Sequence, residues 1–143
     1  MGSTCFILLF IVSLLEVITG YYLILHTILD MKKMNRCYMG LLIVSSLFIT
    51  ALLTANRRLC FFSRTMFLVQ VVLFCIVVFI IRRRGYLFIF SYVWLYYGVL
   101  TLLDFIIAFF SMTLLGEKFY PRVFWNAVSL EQIIIFALSR IIL

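Results

Sequence analysis

The chain has 143 residues, of which 67% are hydrophobic and 12% charged, with a mean hydropathy of +1.27. A soluble domain is about 45–50% apolar and about 25% charged, so a chain of this size has far more apolar surface than one core can hide. Soluble enzyme, nucleic-acid binder and disordered tail are excluded, and the formal charge of +7 reads as loop anchorage to anionic headgroups rather than as a face for a phosphate backbone.

A membrane-crossing helix takes about 20 mostly apolar residues for a hydrocarbon core of about 30 Å. Five stretches meet that requirement in chain order: Cys5–Thr27, Tyr38–Asn56, Thr65–Ile81, Tyr86–Met112 and Val123–Leu143. No stretch alternates polar and apolar residues, so a β-barrel is excluded, and lipid leaves helices as the remaining way to satisfy the backbone. The expected fold is an all-α polytopic bundle of five transmembrane helices forming one membrane domain over residues 1–143. The first stretch has no basic residue ahead of it and no small-residue cleavage site after it, so it reads as a retained span rather than a signal peptide. Phe6 stands where the myristoylation pattern needs Ser or Thr.

The connections Ile28–Cys37, Arg57–Arg64, Arg82–Gly85 and Thr113–Arg122 are short and charged, which makes consecutive helices antiparallel neighbours. Lys32, Lys33, Arg36, Arg82, Arg83 and Arg84 lie on one side, six in all, against Arg57, Arg58, Arg64, Lys118 and Arg122 on the other. With an uncharged N-terminal tail, this excess places the protein in the plasma membrane with its N-terminus outside and C-terminus inside.

Ionisable groups inside a span cost at least about 2.5–3.5 kcal/mol at its centre, so each asks for a reason. Glu16, Asp104 and Arg140 are the internal ones. At about 1.5 Å per residue from the outer ends, they lie about 16, 12 and 21 Å deep, and Arg140 can reach either acid with its long side chain. Glu16–Arg140 is the better-matched pair and Asp104–Arg140 the second; exchanging the charges of Glu16 and Arg140 is then expected to preserve folding. Ser46, Thr50 and Thr54 recur every four residues and share one face of the second helix, where they pack closely and hydrogen-bond a neighbouring helix. Tyr97, Thr101, Asp104, Ala108 and Ser111 form a comparable face on the fourth. Tyr92, Trp94, Tyr96 and Tyr97 make the densest aromatic cluster and read as lipid-facing. These polar groups serve either to hold the helices in register or as elements of a switch.

No catalytic, cofactor-binding or metal-binding residue is expected. Cys5, Cys37, Cys60 and Cys75 contain no C-x-x-C pair, and one histidine, His26, without an acidic cluster makes a poor metal site. His26 and Cys37 flank the first connection and would have to meet for a cysteine-peptidase pair; an interfacial anchor is the simpler role for His26.

Leu-Leu-Glu-Val-Ile-Thr-Gly-Tyr-Tyr at 14–22, the basic turn Met-Lys-Lys-Met at 31–34, Leu-Leu-Asp-Phe at 102–105, Leu-Leu-Gly at 114–116 and Leu-Ser-Arg-Ile-Ile-Leu at 138–143 resemble the N-terminal multi-pass sensor region of GHKL-type sensor histidine kinases, the quorum-sensing receptors of the AgrC kind. The resemblance implies a two-component membrane receptor that detects a secreted peptide, pairs with a second copy as a dimer in the lipid bilayer, and contacts no nucleic acid. It also implies that a kinase half with the phosphoacceptor histidine and ATP site follows after Leu143, since these residues hold neither and are not themselves an enzyme. A small transporter or channel subunit is the alternative, because polar groups near the midplane suit a solute path.

Overall fold

The computed structural model describes residues 2–28, 36–59, 62–81, 85–116 and 129–142. These form helices α1 (Gly2–Ile28), α2 (Arg36–Leu59), α3 (Arg64–Ile81), α4 (Tyr86–Leu115) and α5 (Leu130–Ile142). Four helices, α1 to α4, are long and apolar enough to cross a membrane, and the all-α bundle expected from the sequence is what the chain forms. This is a membrane protein.

Two boundaries differ from the sequence reading. The second helix continues through Arg57 to Leu59, so Arg57 belongs to a helix and not to the connection after it. The fifth stretch is helical from Leu130; residues 123–128 lie outside the described residues, and the 13 residues of α5 rise about 20 Å. Ser129 starts this helix: its hydroxyl accepts from the Gln132 backbone N–H at 3.1 Å and its carbonyl from that of Ile133 at 3.3 Å. Ser63 starts α3 in the same way, accepting from Met66 N–H at 3.3 Å and Phe67 N–H at 3.0 Å. Both satisfy donors that a helix N-terminus leaves open.

In α1, Leu9, Val12, Ser13, Glu16, Val17, Tyr21 and Ile24 are buried while Ile7, Leu8, Ile11, Leu15 and Ile18 are exposed. That is the 3.6-residue period of a helix with one face on its neighbours and the other on lipid. Helices α1 and α2 run antiparallel, since Tyr21 meets Ser45 while Ser13 meets Arg57. Helix α5 packs on α1 and α4.

The apolar interior comes in two layers. The larger joins α1 from Val17 to Leu25, α2 from Leu42 to Leu53, α3 from Val71 to Val78 and α4 from Ile89 to Leu100. The smaller joins Leu9 and Val12 of α1, Ala108 of α4 and Ile133, Ile135 and Phe136 of α5. One half of the bundle is therefore four-helical, and in the other a single helix, α5, takes the place of α2 and α3. On α1 the boundary between layers falls between Val12 and Val17; on α4 it falls between Leu100 and Ala108.

Candidate functional site

The polar residues of the bundle gather at that boundary. Helix α1 contributes Ser13 and Glu16, α4 contributes Thr101 and Asp104, α2 brings Arg57 in its last turn, α3 brings Gln70 near its start, and α5 brings Ser139 and Arg140 near its end. Glu16, Arg57 and Asp104 are 2%, 7% and 6% exposed, so a charge group of this size is withdrawn from both lipid and water.

Glu16 is the hub. Its Oε2 accepts from Arg57 Nη2 at 2.5 Å and from Arg140 Nη2 at 2.6 Å and Nε at 3.1 Å, while Oε1 accepts from Gln70 Nε2 at 3.2 Å. Arg140 extends the chain to Asp104, which also accepts from the Ser139 hydroxyl. Arg57 donates to Ser13 Oγ at 2.8 Å. Both guanidiniums lie over the Phe136 ring, Arg57 at 4.3 Å and Arg140 at 5.0 Å from its centre, a cation–π arrangement that gains strength away from water. The two carboxylates and two guanidiniums cancel, so the network carries no net charge into the hydrocarbon.

The helix backbone takes part as well. The Tyr96 hydroxyl donates to the Glu16 carbonyl at 2.8 Å, and its ring reaches α1 because residue 20 is glycine: a Cβ there would lie 2.8 Å from Tyr96 Cε1 and 3.3 Å from Phe74 Cζ. The Tyr97 hydroxyl approaches Gln70 without closing a well-formed hydrogen bond. A half-open cavity of about 50 Å³ lies against this network, with Asn56, Phe62 and Ser63 among its lining residues at the α2–α3 connection.

Arg140 meets both acids that the sequence offered as partners, rather than one of them. Arg57, taken from the sequence as a loop anchor, is the second cation, and Gln70 is a further ligand of Glu16 that sequence reasoning missed. A hint for Arg57 lies in the unbroken apolar run before it, which lets α2 continue into the Asn-Arg-Arg triplet at 56–58. The stripe Ser46, Thr50 and Thr54 is buried as expected, but its hydroxyls do not carry the link between helices that the sequence suggested. Thr54 donates to the Thr50 carbonyl at 2.8 Å within α2, and the Thr50 hydroxyl has no partner among the described residues. The hydrogen bond across to α1 comes instead from Tyr21 to Ser45, at 3.1 Å. On α4, Tyr97, Asp104 and Ala108 are buried and Thr101 and Ser111 half-buried. Of the aromatic cluster, Tyr92 and Trp94 face outward, whereas Tyr96 and Tyr97 turn into the core, a correction to their lipid-facing assignment. His26 is exposed, its ring 5.7 Å from that of Tyr22. Cys5, Cys37 and Cys75 are free thiols, and the described residues hold no group of three potential metal ligands.

Comparison with family models, with curated proteins and with solved structures finds no match.

Proposed function

We propose that this chain is the membrane-embedded sensor region of a signal-transducing receptor, detecting a secreted peptide and passing a change of helix packing to a histidine kinase half. The observation that supports this reading is the neutral four-charge network at the junction of the two layers. It ties α5 to α1, α2 and α4 through one side chain, Arg140, plus the Phe136 ring. A helix fastened mainly by exchangeable ion pairs is suited to having two packing states. A ligand shifts such an equilibrium only by its differential affinity for the two states, and moving it from 1:99 to 99:1 takes about 5.5 kcal/mol. The receptor acts as a dimer and catalyses nothing within these residues.

The burial of Arg57 bears on orientation. Without it, four basic residues of the second and fourth connections (Arg58, Arg64, Lys118 and Arg122) face six on the other side, which favours an N-terminus outside the plasma membrane more firmly.

The test is a fusion of this chain to a histidine kinase half, with autophosphorylation read against peptide dose. Glu16→Gln, Asp104→Asn and Arg140→Gln are expected to move the set-point while insertion persists. Unchanged dose–response in all three would remove the network from signalling. The polar cavity favours a second reading, a small transporter or channel subunit, for which solute flux in liposomes containing the purified chain is the direct assay.

A further inference from the structure

We propose that the cavity beside Glu16, Arg57, Gln70, Tyr97, Thr101 and Asp104 is a hydrated site for an uncharged hydrogen-bonding group, entered from the α2–α3 connection. Its rim carries the polar side chains Asn56 and Ser63 with Phe62, at the level where α2 and α3 end and α1 and α4 continue. Its volume of about 50 Å³ corresponds to about three or four water positions, or to one amide or hydroxyl group in their place. The Tyr97 hydroxyl, on a residue 2% exposed, lines this space without a well-formed partner. A buried hydroxyl in that state calls for water or a ligand atom.

The charge balance selects the class of guest. Glu16 and Asp104 already answer Arg57 and Arg140, so a cation or an anion entering would leave one unbalanced charge within the membrane, whereas a neutral polar group adds none. Under the sensing role proposed above, on which this part rests, the guest is an amide or hydroxyl of the detected peptide. Without the peptide, water fills the space.

Thiol chemistry tests the site without any signalling readout. In a background carrying Cys5→Ala, Cys37→Ser, Cys60→Ser and Cys75→Ala, three positions are compared: Thr101→Cys in the cavity, Ser63→Cys at the rim and Val99→Cys on the lipid face. A thiolate attacks methyl methanethiosulfonate at its divalent sulfur; the disulfide forms and methanesulfinate leaves. Thiolate forms only where water reaches. The Thr101→Cys thiol is expected to react about tenfold or more faster than the Val99→Cys thiol. Relative to the rim thiol, it should discriminate about tenfold or more against the trimethylammonium-ethyl and sulfonato-ethyl reagents. Met66→Cys, also lining the cavity, replaces Thr101→Cys if that variant fails to fold. A cavity thiol as inert as the lipid-facing one overturns hydration. Equal rates with charged and neutral reagents overturn the neutral class and favour ion passage. Labelling as expected with no peptide response in the kinase fusion removes the sensing role and leaves the site standing, while a peptide response with an inert cavity thiol removes the site alone.

Discussion

The two layers of the bundle are held by different physics. In the four-helix half, Phe74 is fully buried, stacks on Tyr21 at 4.1 Å and meets Tyr97 edge-on at 5.2 Å; contact there is dispersion between rings and branched chains. In the three-helix half the apolar layer is thin, and α5 is secured by Arg140 to Glu16 and Asp104. Lipid tails are as apolar as the side chains, so hydrophobic transfer does little to pull helices together inside a membrane. A layer with many interlocking rings manages on packing alone. A single short helix replacing two others lacks that area, and ionic contacts fix its place instead.

The strongest way to break this comparison is to remove the hub. Glu16→Ala leaves Arg57 without its carboxylate and Arg140 with Asp104 alone, and losing one partner of a buried ion pair is worth about 3–5 kcal/mol. Unfolding in mixed detergent micelles should show that loss, with α5 released first. The exchange of Glu16→Arg with Arg140→Glu, which a two-residue pair would tolerate, should not rescue folding. It sets a guanidinium at position 16 beside Arg57 and a carboxylate at position 140 beside Asp104. A double exchange as stable as the original chain would show that Arg57 does not share Glu16.

Phe74→Ala probes the other half. Opening a cavity where two rings meet is expected to cost about 3 kcal/mol by the same unfolding measurement. Since no charge is disturbed, α5 should stay docked until the whole bundle opens. Early release of α5 in this variant would mean the layers are one cooperative unit.

Which parts of this arrangement are legible in the sequence follows from range. The four long helices show directly, because about 20 apolar residues in a row admit one solution in lipid. Glu16, Asp104 and Arg140 show too, because charge within an apolar run is costly enough to be conspicuous. Arg57 and Gln70 do not. Arg57 sits beside Arg58 at a helix end, where an arginine is as well placed in the headgroups as in the core, and what decides is the acid 41 positions earlier in the chain. The inward turn of Tyr96 depends likewise on the missing Cβ of Gly20 across the α1–α4 seam, a fact about two helices rather than one. The Ser129-x-x-Gln132 start of α5 was readable as a helix-capping pattern.

Gly20→Ala acts on that seam. The added methyl would lie inside contact distance of Tyr96 and Phe74, so the Tyr96 ring must move and its hydrogen bond to the Glu16 carbonyl lengthens. Overpacking of this kind costs about 1–3 kcal/mol. Combining it with Tyr96→Phe separates the causes: if the hydroxyl's bond is the greater part of the loss, the two substitutions are markedly less than additive.

The smallest effect has the opposite sign. Thr50 is fully buried on α2 and its hydroxyl finds no partner among the described residues, so the folded state carries a desolvated donor that a valine of the same shape would not. Replacing an unsatisfied polar group by an apolar isostere is neutral or stabilising. Thr50→Val should therefore leave the unfolding midpoint unchanged or raise it by the equivalent of about 1 kcal/mol, while Thr54→Val, which gives up the bond to the Thr50 carbonyl, should gain nothing. A clear loss of stability in Thr50→Val would show that its hydroxyl meets a water or a second chain, and that the four-helix half, too, depends on a polar contact.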